Sequence, residues 1–345
     1  MKIDEYKIIN TKRFSLPFNS FITPKEFQTL YYPFLEEYKD YIYDIYFSVA
    51  LPPFYNDAMG QSNQLTQQIM KNTLSVMLDI QKKLNITVSV TFNNIHVEPS
   101  LKNKEIFLKT LDFLYDRGIR SITIPHIHWM YDGQIKKLYP ELLIKNTVLR
   151  KVNTPQMYVD YVKAGFNVVN IDRINLRDRD NLKRFKKAYL KYKIPISILV
   201  NESCRGGCPA MDEHYTLNCA KDSIPYFKQE ISQNTCSVWR GQDSSYHLRV
   251  ANMPIIKDDF KEFEEYIQIF KLHGRSEMSV LRNSIDIVKD YANNNEIIGK
   301  NWMKNYNYDE KKLKHWKEFT KNCKFECWDC KVCDDLTLSS KEMCF

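Results

Sequence analysis

The chain has 345 residues, of which 43% are hydrophobic and 13% aromatic, and its formal net charge is +8. That length suits one large domain plus an appendage, with enough apolar residues to bury a core. The first twenty residues mix Lys, Asp, Glu and Arg with scattered apolar side chains and lack the continuous apolar stretch of a signal peptide, and no apolar run is long enough to span a bilayer. The chain therefore reads as soluble and cytoplasmic, with no membrane partner. The positive balance is spread over helix faces such as Leu182 to Tyr189. It is compatible with RNA or another polyanion, although a solvated lysine-rich surface accounts for it equally well.

In chain order, short β-branched runs alternate with amphipathic helical patterns. Tyr43 to Val49 reads as a first strand. The next helix carries Leu65, Ile69, Val76, Met77, Ile80 and Leu84 at helical spacing. Thr87 to Phe92 is a second strand, and the helix from about Lys104 sets Phe107, Leu111 and Leu114 on one side before a stop at Gly118. Ser121 to Ile124 is a third strand, and Ile144 to Leu149 a fourth. Thr154-Pro155 starts a helix, because threonine can cap and proline suits the first helical position. That helix ends by Gly165 and leads to a fifth strand at Asn167 to Ile171. The lysine-rich helix after Asp180 leads to a sixth at Ile196 to Val200. A seventh is expected within 248–256 and an eighth at Tyr266 to Lys271, with a closing helix from Ser276 to Tyr291. Eight strands separated by helices imply an α/β fold, a (β/α)8 TIM-like barrel. We divide the chain into an N-terminal segment over 1–40, a barrel over 41–293 with an insertion at 201–247, and an extension over 294–345.

Nine cysteines, none before position 204, carry most of the chemical information. Disulfides are rare in a cytoplasmic protein, and clustered cysteines there more often bind metal. Cys204, Cys208, Cys219 and Cys236 form a C-x3-C-x10-C-x16-C group directly after the sixth expected strand. That position is the catalytic rim of a barrel, and Gly206 and Gly207 let the backbone curl around a shared centre. The second group, Cys323-x3-Cys327-x2-Cys330-x2-Cys333, packs four sulfurs into eleven residues, with Cys344 as a further candidate ligand. Its successive x2 spacings resemble the ferredoxin runs that wrap a [4Fe–4S] cluster. One or two such clusters are expected, with zinc as the alternative at the C-terminal site. The Cys323-x3-Cys327-x2-Cys330 run also matches the radical S-adenosylmethionine pattern, displaced to the far side of the barrel.

Three stretches resemble the peptidase U32 family of collagenase-like proteins. They are Ile198-Leu199-Val200-Asn201-Glu202-Ser203-Cys204 through Cys208-Pro209, then Asn170-Ile171-Asp172-Arg173 with Asn175-Leu176-Arg177-Asp178, and Phe270-Lys271-Leu272-His273-Gly274-Arg275 with the helix reaching Tyr291. The resemblance runs in layout from about residue 40 to 335. It implies a barrel whose cluster is held on Cys204, Cys208, Cys219 and Cys236. It also implies oxygen-independent hydroxylation, of RNA bases with prephenate as oxygen donor or of quinone precursors. The chain lacks the His-Gly-Ala-x-Cys stretch of the peptidase-type members and its cysteine spacings are tighter, which argues against proteolysis and leaves the substrate open.

Polar residues just past strand ends are the ones a barrel presents to a substrate. The candidate catalytic residues are His126, Asp172, Arg173, Glu202, His273 and Arg275, with Asn93, Asn94, Asn146 and Lys271 beside them. Arg173 and Arg275 can hold a carboxylate or phosphate through paired N–H bonds. His126 and His273 can shuttle protons, and Glu202 can orient a substrate at iron. Asp172-Arg173 reads equally as a local ion pair, and His128, beside Trp129, is expected to be packed. The reading is an iron–sulfur barrel enzyme acting on an RNA, a small molecule or a modified peptide, with an electron donor protein as partner. A peptidase or other hydrolase, and a non-catalytic RNA- or partner-binding module with structural zinc, remain as alternatives.

Overall fold

The computed structural model describes residues 12–48, 67–201, 257–275, 278–296 and 310–324, with positions 51, 53, 54, 212, 298, 326, 329, 330, 332 and 333. Eight strands run parallel: β1 (Phe14–Pro17), β2 (Ile42–Ser48), β3 (Thr87–Thr91), β4 (Ser121–Ile124), β5 (Leu143–Asn146), β6 (Val169–Ile171), β7 (Ile196–Leu199) and β8 (Ile269–Lys271). Their spatial order is β5-β4-β3-β2-β1-β8-β7-β6, so seven ladders join eight strands. The gap between β5 and β6 is bridged rather than zipped. The N–H groups of Asn167 and Val168 both donate to the Ile144 carbonyl, at 2.8 and 3.3 Å, beside an isolated Lys145–Val168 bridge. Asn146 and Asn170 then exchange side-chain and backbone bonds across the gap, at 2.6, 2.9 and 2.5 Å. The ring is thereby closed as an eight-stranded TIM-like barrel.

The helices lie outside the ring: α1 (Tyr32–Tyr38), α2 (Gln67–Leu84), α3 (Leu101–Asp116), α4 (Gln134–Leu138), α5 (Pro155–Lys163), α6 (Arg179–Tyr192), α7 (Lys257–Phe263), α8 (Met278–Ala292) and α9 (Glu310–Lys321). Thr154 caps α5, accepting from Met157 N–H at 3.2 Å with Pro155 at the first helical position, as its sequence implies. Phe107, Leu111 and Leu114 are all buried from α3, again as spaced. Gly118 and Gly165 end their helices at φ +94°. Phe113 lies exposed under the Arg117 guanidinium, 3.6 Å from the ring centre, on the solvent side of α3.

Three further expectations are revised or displaced. The first strand is β1, inside the segment read as leading into the barrel. It is four residues long and closed by Pro17, too short to show a period, and it is defined by pairing with both β2 and β8. The strand expected within 248–256 lies outside the described residues, so β1 completes the eight. The cysteine-bearing insertion accordingly follows the seventh strand in the chain, not the sixth.

Each strand sends alternate residues to opposite faces. Phe14, Ile45, Phe47, Val88, Val90, Ile122, Ile144, Ile198 and Phe270 join the helices in one apolar core. The other face fills the barrel, and it is unusually polar: Ser15, Asp44, Ser89, Thr91, Ser121, Thr123, Lys145, Ser197 and Lys271 are all buried. Branched apolar residues ordinarily dominate that space. Here Asp44 accepts from Ser15 Oγ at 2.5 Å and forms an ion pair with Lys145 from β5, while Ser121 donates to Ser89 at 3.1 Å. Breaking one partner of a buried pair leaves an uncompensated charge, at a cost of about 3–5 kcal/mol. Asp44→Ala is expected to lose that much stability in a denaturant titration, and Asp44→Leu with Lys145→Met to lose less. A loss below about 0.5 kcal/mol for Asp44→Ala would show that the pair does not hold the barrel together.

Candidate functional site

Because every strand is parallel, all their C-terminal ends open onto one mouth. Side chains from or just after β2, β3, β4, β5, β6 and β8 supply its chemistry. Ser48 ends β2, Asn93 and Asn94 follow β3, His126 follows β4, and Lys145 and Asn146 end β5. Arg173 follows β6, and Lys271, His273 and Arg275 come from β8 and the loop beyond it. Apart from Ser48 and His273, which keep part of their surface open, these side chains are buried.

The loop after β8 is held in place by Asn201, at the end of β7. Its Oδ1 accepts from His273 N–H at 2.5 Å, and its Nδ2 donates to the His273 carbonyl at 3.2 Å and to Ser284 at 2.9 Å. Ser284 donates to the same carbonyl. Gly274 lets the loop pass against α8: at φ +147° an added Cβ would sit 3.0 Å from the Leu281 backbone. Arg275 then reaches back to donate to Ser48 Oγ at 2.7 Å. Its guanidinium carbon lies 5.2 Å from the Tyr46 ring centre, and Lys271 Nζ lies 4.1 Å from the same ring. Tyr46 donates to the Leu272 carbonyl, and burial pushes its phenol well above the ordinary range, so it stays protonated.

Electrostatics at the mouth are lopsided. Lys145, Arg150, Arg173, Lys271 and Arg275 are cationic groups, against the carboxylates of Asp44, Asp172 and the exposed Asp212, whose charge acts on Arg150. Asp44 is engaged by Lys145 and Ser15. Asp172 serves the backbone: it accepts from Ile174 N–H at 2.8 Å and caps the 3-10 turn Arg173–Leu176. Burial first, and then Lys145 and Arg275, push the Lys271 ammonium down to about 7, with Asp44 opposing. Burial, then the charges of Arg275 and Arg173, push the His273 imidazole down to about 4. His126 is likewise brought to about 4, by burial and by Arg150, whose Nη2 lies 2.8 Å from its Nδ1. Arg150 is fixed by the carbonyls of Pro125, at 2.7 Å, and Ile95, at 3.4 Å. Oδ1 of Asn93 and Oγ1 of Thr123 are buried without a hydrogen-bond partner among the described residues. Such orphaned groups are rare away from sites that receive a ligand or water.

Arg173, His273 and Arg275 thus come together, while His126 sits with Arg150 after β4 and β5. His128 is exposed beside Tyr131, not packed, because Trp129 takes the buried side of that turn. Glu202 and the whole first cysteine group, Cys204, Cys208, Cys219 and Cys236, lie outside the described residues. So does Cys327 of the second group. Cys323, Cys330 and Cys333 are described as free thiols, with Cys333 buried. Arg177, just after the β6 turn, points Nη1 at Cys323 Sγ at 3.6 Å and at Cys333 Sγ at 4.0 Å. Trp316 of α9 donates to Cys333 Sγ at 3.3 Å and lies 5.3 Å from the Arg177 guanidinium carbon. Ion pairs Lys317–Asp258, at 3.2 Å, and Lys324–Asp180, at 3.8 Å, add to the docking of the tail. Among the described residues, no three His, Cys, Asp or Glu side chains are gathered as a complete metal site. Sequence reasoning missed Arg150, Asn201 and Arg177 as organising residues. Only Asn201 and Arg177 lay in stretches that had already drawn attention.

No family model and no curated protein matches this chain. Among solved structures it is similar to one titled the U32 peptidase Mk0906, with 12% identity and a TM-score of 0.47, over 76% of this chain and 93% of that one. It is also similar to an enolase from Bradyrhizobium, solved with magnesium and mandelic acid, at 12% identity and a TM-score of 0.36, over 55% of this chain and 45% of that one. The barrel itself is defined by strand order and register rather than by these likenesses. No described helix is long and apolar enough to cross a membrane.

The two depressed imidazoles give the protein a defined acid response. Each titrates near 6.5 when unfolded and near 4 when folded, so between those values the unfolded chain binds more protons. Stability should be full above about pH 6.5 and fall as pH drops toward 4. Replacing His126 or His273 by Gln should flatten the slope of unfolding free energy against pH in that window, and an unchanged slope in both variants would exclude them as its source.

Proposed function

We propose that this chain is an iron–sulfur barrel enzyme that binds a carboxylate- or phosphate-bearing substrate at the mouth and modifies it by oxygen-independent redox chemistry. The observation that carries the reading is the set of buried cationic side chains at the strand ends, Lys145, Arg173, Lys271 and Arg275. Arg173, Lys271 and Arg275 together would attract an anionic group brought among them. Arg173 and Arg275 would grip it, and His273, neutral near pH 7, would exchange a proton with it.

The metal half of the proposal concerns the cysteines. Cys323, Cys330 and Cys333 with Cys327 would hold one centre, and Cys204, Cys208, Cys219 and Cys236 another at the rim. Two N–H donors converging on the Cys333 sulfur, one of which also reaches Cys323, suit ligated thiolates, whose charge and potential such bonds tune. When bound, a [4Fe–4S] cluster would supply electron transfer or an open Lewis-acid iron. The substrate could be a small molecule, or an RNA or peptide carrying the anionic group, with a separate protein delivering electrons.

Protein purified without oxygen is expected to be brown, with iron and acid-labile sulfide near equal at about four or about eight per chain by the one- or two-cubane count. Cys204→Ala and Cys333→Ala should each remove iron, the first with all turnover. A colourless protein carrying only zinc would remove the redox reading and leave a hydrolase or a binding module.

A further inference from the structure

Lys271 is placed differently from the other lysine of the barrel interior. Lys145 is locked to Asp44 by an ion pair. The Lys271 ammonium, by contrast, has neither a hydrogen bond nor a carboxylate partner among the described residues. Its Nζ lies over the Tyr46 ring face, 4.1 Å from the centre. It lies on the last residue of β8, so its amine is carried at the C-terminal end of the barrel, with Arg275 and Lys145 as cationic neighbours. The charged groups facing it are those two, Asp44, which is already engaged, and the phenol of Tyr46. Burial among like charges disfavours the ammonium and leaves a nucleophilic amine near neutrality. A lysine desolvated beside other cations is the arrangement that activates an amine toward carbonyl carbon.

We propose that Lys271 is a carbonyl-capturing nucleophile that forms a Schiff base with a substrate or co-substrate carrying both a carbonyl and an anionic group. The amine lone pair adds to the carbonyl carbon and gives a carbinolamine. The former carbonyl oxygen then leaves as water, taking both amine protons, and the nitrogen–carbon double bond forms. No oxidant or reductant is consumed. Arg275 provides the adjacent contact for a carboxylate or phosphate, which selects anionic carbonyl compounds over neutral ones. Tyr46, held by the Leu272 carbonyl, fixes the floor beneath the amine. The inference rests on the mouth being an anion site and is independent of the cysteine centres.

The test is reductive trapping on the full-length protein. Glyoxylate and pyruvate serve as anionic probes and acetaldehyde as the neutral one, each with borohydride at pH 7, followed by intact mass and peptide mapping. The expected result is a single reduced adduct at Lys271, formed at least about tenfold faster with the oxo acids than with acetaldehyde. It should be absent in Lys271→Met and in Lys271→Arg, the second of which preserves the charge and guards against misfolding. Adducts spread over surface lysines, or no adduct at all, would overturn the proposal. If inorganic phosphate binds and Lys271→Met weakens it while no adduct forms, the anion site stands and the covalent step falls. If neither phosphate nor oxo acid binds, both fall.

Discussion

A single buried ion pair, Asp44 with Lys145, sets the character of the barrel. It joins β2 to β5 across two intervening strands and puts full charges where such barrels ordinarily hold branched hydrocarbon. A buried pair of this kind offers no guaranteed stability over an apolar filling. Serines of the neighbouring strands hydrogen-bond in the same interior, Ser15 of β1 to Asp44 and Ser121 of β4 to Ser89 of β3. Beyond that pair, Lys271 at the end of β8 lies against the Tyr46 ring face, and Arg275 in the following loop donates to Ser48.

The segment after β6 connects that mouth to the cysteine-bearing tail. Asp172 caps the turn, Arg173 faces His273, and Arg177 reaches the sulfurs of Cys323 and Cys333. Two arginines four residues apart, held by one short capped turn, therefore reach the barrel mouth and the thiols. A shift of that turn would be felt at both. The tail is seated by aromatic, cationic and ion-pair contacts together, so the thiols occupy a defined position on the barrel wall.

How much of this was legible in the sequence depended on range. Strand and helix periods showed seven of the eight strands and the caps and stops at Thr154, Gly118 and Gly165, because those signals are local. β1 escaped because four residues ending in proline carry no period, and its identity comes from neighbours 28 and 256 residues away. Arg173, His273 and Arg275 were recognisable as strand-end polar residues, and the structure brings them together. Asp172 was visible too, but its capping role depends on a turn that strand patterns do not describe. Arg150, Asn201 and Arg177 act on partners 24, 72 and 146 residues distant, which spacing alone cannot pair. A charged residue within an apolar strand, as in Tyr43-Asp44-Ile45 and Ile144-Lys145, was the available clue to the polar interior.

The amide exchange between Asn146 and Asn170 has a mechanical meaning. A ring of eight strands with seven ladders is a hoop with one weak joint, and strain anywhere on its circumference concentrates there. The joint is fastened by two side chains and a few backbone bonds, so it is where the hoop would part first and where deuterium would enter earliest. Lys145 sits immediately beside that joint, and its ion pair reaches across the ring to β2. The interior charge thus braces β5, the strand on one side of that seam, against β2.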